Sequence, residues 1–224
     1  MIQTWIADIT PLLNNQIYEK YYTDLPKWRK EKADRLHYAG DRARSVGAWI
    51  LYQHMREEYG ISREAVYNLS HSGRYALCSV KVENAAGSGD TAIFQNEERV
   101  TRLGCDIEMI KDFRPGIAKR FYCPAEEAFI LEQEDETCRA EAFYRYWVLK
   151  ESFLKATGQG LKLDLRSFEI SIEHGQPVLI RQPEEYPERY YYREYQVTAG
   201  DAKAAVCSTD SNFGKLRTAD IFHR

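Results

Sequence analysis

The chain has no apolar run near the ~20 residues that a membrane-spanning helix requires, so it is not expected to cross a bilayer. Its opening, Met1-Ile2-Gln3-Thr4-Trp5, lacks the basic stretch and long apolar core of a secretory signal, and a cytoplasmic location is expected. Cysteine pairs of the Cys-x-x-Cys type are missing. The five cysteines (Cys78, Cys105, Cys123, Cys138, Cys207) are odd in number, several in apolar stretches, which predicts reduced and buried thiols. The five histidines show no zinc-ligand spacing. No Gly-x-Ser-x-Gly elbow occurs, which argues against an α/β-hydrolase nucleophile. A large excess of one charge is also absent: 31 basic and 34 acidic side chains leave a formal net charge of -3, with no global attraction for nucleic acid.

What the chain does have is size and apolar content. With 224 residues, 44% hydrophobic, and 16 Tyr, 9 Phe and 4 Trp, it can build one large core or two smaller ones. Its charge is also uneven. Residues 26–44 carry Lys27, Arg29, Lys30, Lys32, Arg35, Arg42 and Arg44 against Glu31, Asp34 and Asp41. Such a patch on an acidic protein suits a small anion better than a long polyanion. The plainer reading is a solvated helix face with i,i+4 pairs.

Periodicity predicts a strand over 2–9, helices over 12–23, 26–38 and 41–59, and strands over 66–70 and 75–82 around a Ser-Gly turn. A polar, glycine-rich stretch at 84–99 reads as a surface insertion or a linker. The order then recurs: strand 102–108, helices 115–122, 124–134 and 139–157, and strands near 167–173, 190–198 and 202–208. This predicts an α+β protein of two similar halves, 1–97 and 98–224. The tail from Thr209 to Arg224 carries no readable signal.

Two segments carry chemistry. In Gly104-Cys105-Asp106-Ile107-Glu108 the strand alternation turns Asp106 and Glu108 to one face. Two nearby carboxylates must separate, raise a pKa or share a cation, and oxygen ligands favour Mg2+. The same triplet also suits the polar face of an edge strand. On the helix around 141–156, Phe143, Tyr146, Trp147, Phe153 and Leu154 form an apolar stripe with Lys150 at its centre. A lysine there must snorkel, pair with a carboxylate or meet an anion. Glu151 and Lys155 are spaced as an ordinary helix ion pair. Ser70 and His71 make a poor hydrolase dyad, because adjacent residues on an extended chain point apart; they suit either an anion contact or a structural turn. Glu126, near a helix N-terminus, reads as structural, and Gly158 as a helix cap.

Asn68-Leu69-Ser70-His71-Ser72-Gly73, Gly104-Cys105-Asp106-Ile107-Glu108, Ala118-Lys119-Arg120-Phe121-Tyr122 and Trp147-x-x-Lys150-Glu151-Ser152-Phe153-x-Lys155-x-x-Gly158-x-Gly160-Leu161 together resemble the Sfp-type 4'-phosphopantetheinyl transferases. The resemblance implies two α+β halves related by a pseudo-two-fold, usually in one monomer, with coenzyme A in the cleft between them. It implies that Asp106, Glu108 and Glu151 hold Mg2+ on the pyrophosphate and that His71 and Lys155 contact its phosphates. Arg29, Lys32, Arg44 and Ser45 fall where the family binds the adenosine 3'-phosphate, and Ser70 and Lys150 are further candidate contacts. Two departures stand out. The family's Gly-Lys-Pro element is missing between Gly60 and Asn68, leaving Arg63 or Arg74 as replacements, and 84–99 is longer than usual.

The expected activity is Mg-dependent transfer of phosphopantetheine to a serine of an acyl or peptidyl carrier protein. Glu151, directly or through a water it orients, would take the serine proton. Phe113 and Arg120 are candidates for docking the carrier. A non-catalytic coenzyme A or nucleotide-binding protein of the same fold is the alternative.

Overall fold

Strand β1 (Ile2–Asp8) buries both of its faces, and its alternation divides the molecule. Ile2 and Ile6 enter one apolar cluster while Trp5 and Ala7 enter another. In the computed structural model residues 1–83 and 101–222 are described. After β1 come a 3-10 turn at Thr10–Leu13, then α1 (Asn15–Thr23), α2 (Lys27–Asp34) and the long α3 (Ala39–Tyr59). The hairpin β2 (Tyr67–Ser72) and β3 (Tyr75–Lys81) follows, and β3 returns antiparallel to β1.

The second half repeats that order. Strand β4 (Leu103–Met109) leads to α4 (Pro115–Phe121), α5 (Pro124–Leu131) and the long α6 (Glu136–Thr157). An extra hairpin, β5 (Glu169–Glu173) and β6 (Gln176–Arg181), precedes β7 (Tyr191–Gln196) and β8 (Ala202–Ser208). The sheet orders β2-β3-β1 and β7-β8-β4 correspond, as expected for an α+β protein with a recurring strand, helix and hairpin plan. The expected insertion at 84–99 and the boundary between residues 97 and 98 lie outside the described residues.

Four layers result. The α3 helix covers the first sheet through Trp5, Ala76, Cys78 and Val80. Ile2, Ile6 and Leu77 pack across to Cys105, Ile107, Ala204 and Val206 of the second sheet. On that sheet's far side, Ala205 and Cys207 meet α6. Cys78, Cys105 and Cys207 are buried in these layers, and Cys123 is buried at the start of α5.

Three readings need correction. The helix expected from residue 12 is split by Asn14, whose side chain accepts hydrogen bonds from the Gln16 and Ile17 amides and starts α1 afresh. The tail without a readable signal is a strand, β9 (Phe213–Ala219), lying parallel to β1. And α6 has no single apolar stripe: residues from Ala140 to Thr157 are buried on nearly every side, because sheet, α5 and β5 all pack on it.

Candidate active site

The placement of the site begins with Gly104. A Cβ there would overlap the Ser152 carbonyl oxygen and the Ala156 nitrogen, so glycine lets α6 lie directly on the β4 backbone. Strand alternation puts Asp106 and Glu108 on the same face as Gly104, facing that helix. Glu151 and Lys155, each directly before a residue that touches Gly104 and one helical turn apart, then share a cavity with the two acids. Leu69, Ser70, His71, Asp106, Glu108, Trp147, Glu151 and Lys155 line one cavity of about 310 Å3.

Strands β2 and β4 meet along a seam bridged by side chains. The Cys105 amide donates to Asn68 Oδ1 at 3.0 Å, the Ile107 amide to Ser70 Oγ at 3.4 Å and the Met109 amide to Ser72 Oγ at 3.1 Å. Alternate small polar residues on one strand thereby serve the outward amides of the next. The two hydroxyls also reach the acids: Ser70 Oγ donates to Asp106 Oδ1 at 2.7 Å and Ser72 Oγ to Glu108 Oε2 at 2.6 Å. Asn68 and Ser72 went unassigned in the sequence, although the Asn-x-Ser-x-Ser alternation was its visible signal.

Lys155 Nζ forms an ion pair with Asp106 Oδ1 at 2.7 Å and donates to Ser70 Oγ at 2.9 Å and to the Cys105 carbonyl at 3.1 Å. Burial alone would depress this lysine, but Asp106, the Cys105 thiol and Glu151 outweigh it and hold its pKa above the ordinary value. Burial raises Glu151, reinforced by the charges of Asp106 and Glu108 and opposed by Lys155. Glu108 is raised by burial and by Asp106, against the Ser72 hydrogen bond and two lysines, Lys111 and Lys155. Among the described residues, Asp106 Oδ2 is buried without a hydrogen-bond partner. Among the described residues, no group of three or more His, Cys, Asp or Glu side chains is already drawn to metal-ligating distances.

His71 presents an exposed edge, yet the protein behind it lowers its pKa, and the charges of Arg44, Lys155 and Lys32 lower it further. Lys32 and Arg44 therefore belong to the basic surroundings of the cavity. Arg44 pairs with Asp41 and donates to the Gly73 carbonyl at 3.4 Å.

Three expected contacts are not delivered to the cavity. Lys150 is 1% exposed: its ammonium pairs with Glu126 Oε1 at 2.9 Å and donates to the Leu165 and Phe168 carbonyls at 2.8 and 2.9 Å. Every donor of this lysine is committed to the core, which makes it structural, and Glu126 is its carboxylate partner. Arg29, 5% exposed, lies over the Trp49 ring and donates to the Ser45 carbonyl at 2.6 Å. Ser45, 4% exposed, supplies that carbonyl, and its hydroxyl accepts from the same guanidinium at 3.5 Å. Both brace α2 against α3 instead of facing a ligand. Trp147, assigned to the core stripe, stands at the cavity wall and stacks on Phe143. Arg120 is exposed, and Phe113 packs edge-on against Phe143.

Residues 102–207, which include Asp106, Glu108, Glu151 and Lys155, match the family model for the 4'-phosphopantetheinyl transferase superfamily. The chain is 27% identical over 221 residues to the 4'-phosphopantetheinyl transferase Sfp of Bacillus subtilis (strain 168), covering 90% of this chain and 89% of that one. It is 30% identical over 118 residues to the 4'-phosphopantetheinyl transferase HetI of a Nostoc species, covering 52% of this chain and 42% of that one. A solved holo-[acyl-carrier-protein] synthase from Thermotoga maritima superposes with a TM-score of 0.42 at 20% identity, over 50% of this chain and 64% of that one. The family model thus spans the acids of β4 and the Glu151–Lys155 turn of α6, and similarity to a curated relative runs nearly end to end, so the chain is similar to the Sfp-type 4'-phosphopantetheinyl transferases along most of its length.

Proposed function

We propose that the protein transfers the 4'-phosphopantetheine arm of coenzyme A to a serine of an acyl or peptidyl carrier protein, releasing adenosine 3',5'-bisphosphate, and that it does so as a cytoplasmic monomer. The carrying observation is the meeting of Asp106, Glu108, Glu151 and Lys155 with Ser70 and His71 on one cavity, all supplied by one chain.

The donor set suits a divalent cation. Its members are hard carboxylate oxygens, one of them, Asp106 Oδ2, is buried without a partner among the described residues, and burial makes Glu108 and Glu151 more basic than usual. Asp106, Glu108 and Glu151 would hold Mg2+, which when bound supplies charge neutralisation to the pyrophosphate.

The chain's own groups account for the rest. Lys155 and His71 bind and orient the phosphates, and Lys32 and Arg44 extend the positive surface beside His71. Trp147 walls the cavity and excludes water from its side. The carrier serine oxygen attacks the β-phosphorus, the bond to the bridging oxygen breaks, and its electron pair departs on the bisphosphate. Glu151, on the cavity wall, accepts the serine proton directly or through a water it orients. Lys155 stabilises the charge that grows on the leaving group.

The test is mass spectrometry of apo carrier proteins incubated with the protein, coenzyme A and Mg2+. A gain of one phosphopantetheine arm is expected. No gain across fatty-acid, polyketide and peptide carriers would overturn the reading.

A further inference from the structure

The Ser72 hydroxyl has both of its capacities in use. It accepts the Met109 amide at 3.1 Å and donates to Glu108 Oε2 at 2.6 Å. Accepting from the backbone anchors the oxygen, so the proton is directed at the carboxylate. The residue is 8% exposed, which leaves little room for water to replace it. The turn beyond it is held as well. Gly73, at φ 55°, packs its bare Cα against the Met109 side chain, where a Cβ would collide, and its carbonyl accepts from Arg44.

The two acids of β4 differ in how they are held. Asp106 receives both Ser70 and Lys155 on Oδ1. For Glu108, among the described residues, Ser72 is the hydrogen-bond donor. Lys111 and Lys155 act on Glu108 through charge alone and do not fix its rotamer. Asn68 provides the internal contrast: it serves the Cys105 amide in the same seam and touches neither acid.

We propose that Ser72 is a positioning residue for Glu108, fixing the carboxylate so that one oxygen is tied to the seam and the other is presented to the divalent cation. This rests on the metal reading above. Ser72 touches neither substrate nor cation; it acts by sparing Glu108 the cost of being ordered when the cation arrives.

The experiment measures Mn2+ binding to the full chain by the loss of free-ion paramagnetic signal, beside thermal melting. Ser72→Ala is expected to weaken Mn2+ binding about tenfold or more, as removal of an outer-shell partner does. Ser72→Thr, which keeps the hydroxyl, restores it. Asn68→Ala lowers the melting temperature without moving Mn2+ affinity. Should Ser72→Ala not fold, Ser72→Cys keeps the volume and loses the strong donor, and the same weakening is expected. Wild-type affinity in these hydroxyl-free variants, or an equal loss in Asn68→Ala, overturns the role of Ser72 while the metal reading stands. A wild-type protein that takes up no Mn2+ overturns both.

Discussion

Lys150 and Lys155 lie on the same helix, and although burial pulls both ammonium groups down, their neighbours leave them on opposite sides of the ordinary value. Lys150 is pushed below its ordinary pKa by burial, with Glu126 opposing the shift; Lys155, closer to acids, ends above its ordinary value. Removing one partner of a buried pair strands the other charge. Lys150→Met should therefore cost about 3–5 kcal/mol in urea unfolding, while the KM for coenzyme A of the protein that still folds stays unchanged. For Glu151 the prediction couples activity to pH. Glu151→Gln should lower carrier labelling by about 10²–10⁴-fold, the range for losing a general base. Its stability runs the other way. Because the folded pKa of Glu151 is raised above 4.5, the folded state binds the proton more tightly, and stability is lost as pH rises through that folded value. In metal-free buffer the Gln variant should be more stable than wild type at pH 8 and equal to it at pH 4. Urea midpoints at the two values check this.

At the scale of elements, the junction of β4 with α6 decides whether the acids and the lysine meet. Gly104→Ala places a methyl group against backbone atoms of Ser152 and Ala156, which cannot rotate away. The expected cost is about 1–3 kcal/mol, read as a fall in melting temperature, with transfer activity reduced further than stability because Glu151 and Lys155 move with the helix. This junction was half legible. The alternation that sets Asp106 and Glu108 opposite Cys105 and Ile107 read correctly because a strand's period is a local property, whereas the close approach at Gly104 was not read. The fate of Lys150 was not, since a helical wheel presumes one buried face and α6 has neighbours on nearly every side. Arg29 and Ser45 failed for a related reason: a basic cluster in sequence does not reveal which guanidinium is turned inward onto Trp49. The seam residues Asn68 and Ser72 escaped because their role depends on a strand that lies far along the chain.

Across the whole molecule, the buried phenols and thiols set an alkaline limit. Burial pushes Tyr146 up to about 12 and Cys105 up to about 11. Groups whose folded pKa is raised contribute stability that is complete below their ordinary values of 10.0 and 9.0 and is lost as pH climbs toward the folded ones. Melting temperature should hold to about pH 9 and then fall steeply, as a series of melts from pH 7 to 12 would record. A flat profile to pH 12 would contradict the burial of these side chains. The repeated plan of the two halves was legible from the order of periodic segments. The crossing of β9 back to the first sheet was not, because an edge strand with alternating Lys215 and Arg217 looks like a polar tail until β1 is beside it.

That crossing has a consequence for how the protein is made. β1 is the first of the described strands to leave the ribosome and β9 the last, yet they are adjacent in the finished sheet. Through most of translation the leading sheet waits with a bare flank, open to unwanted pairing with other nascent chains. Pairings so distant in sequence also form slowly, and the closing strand, more than the chemistry-bearing elements, sets when the newborn enzyme becomes safe from aggregation.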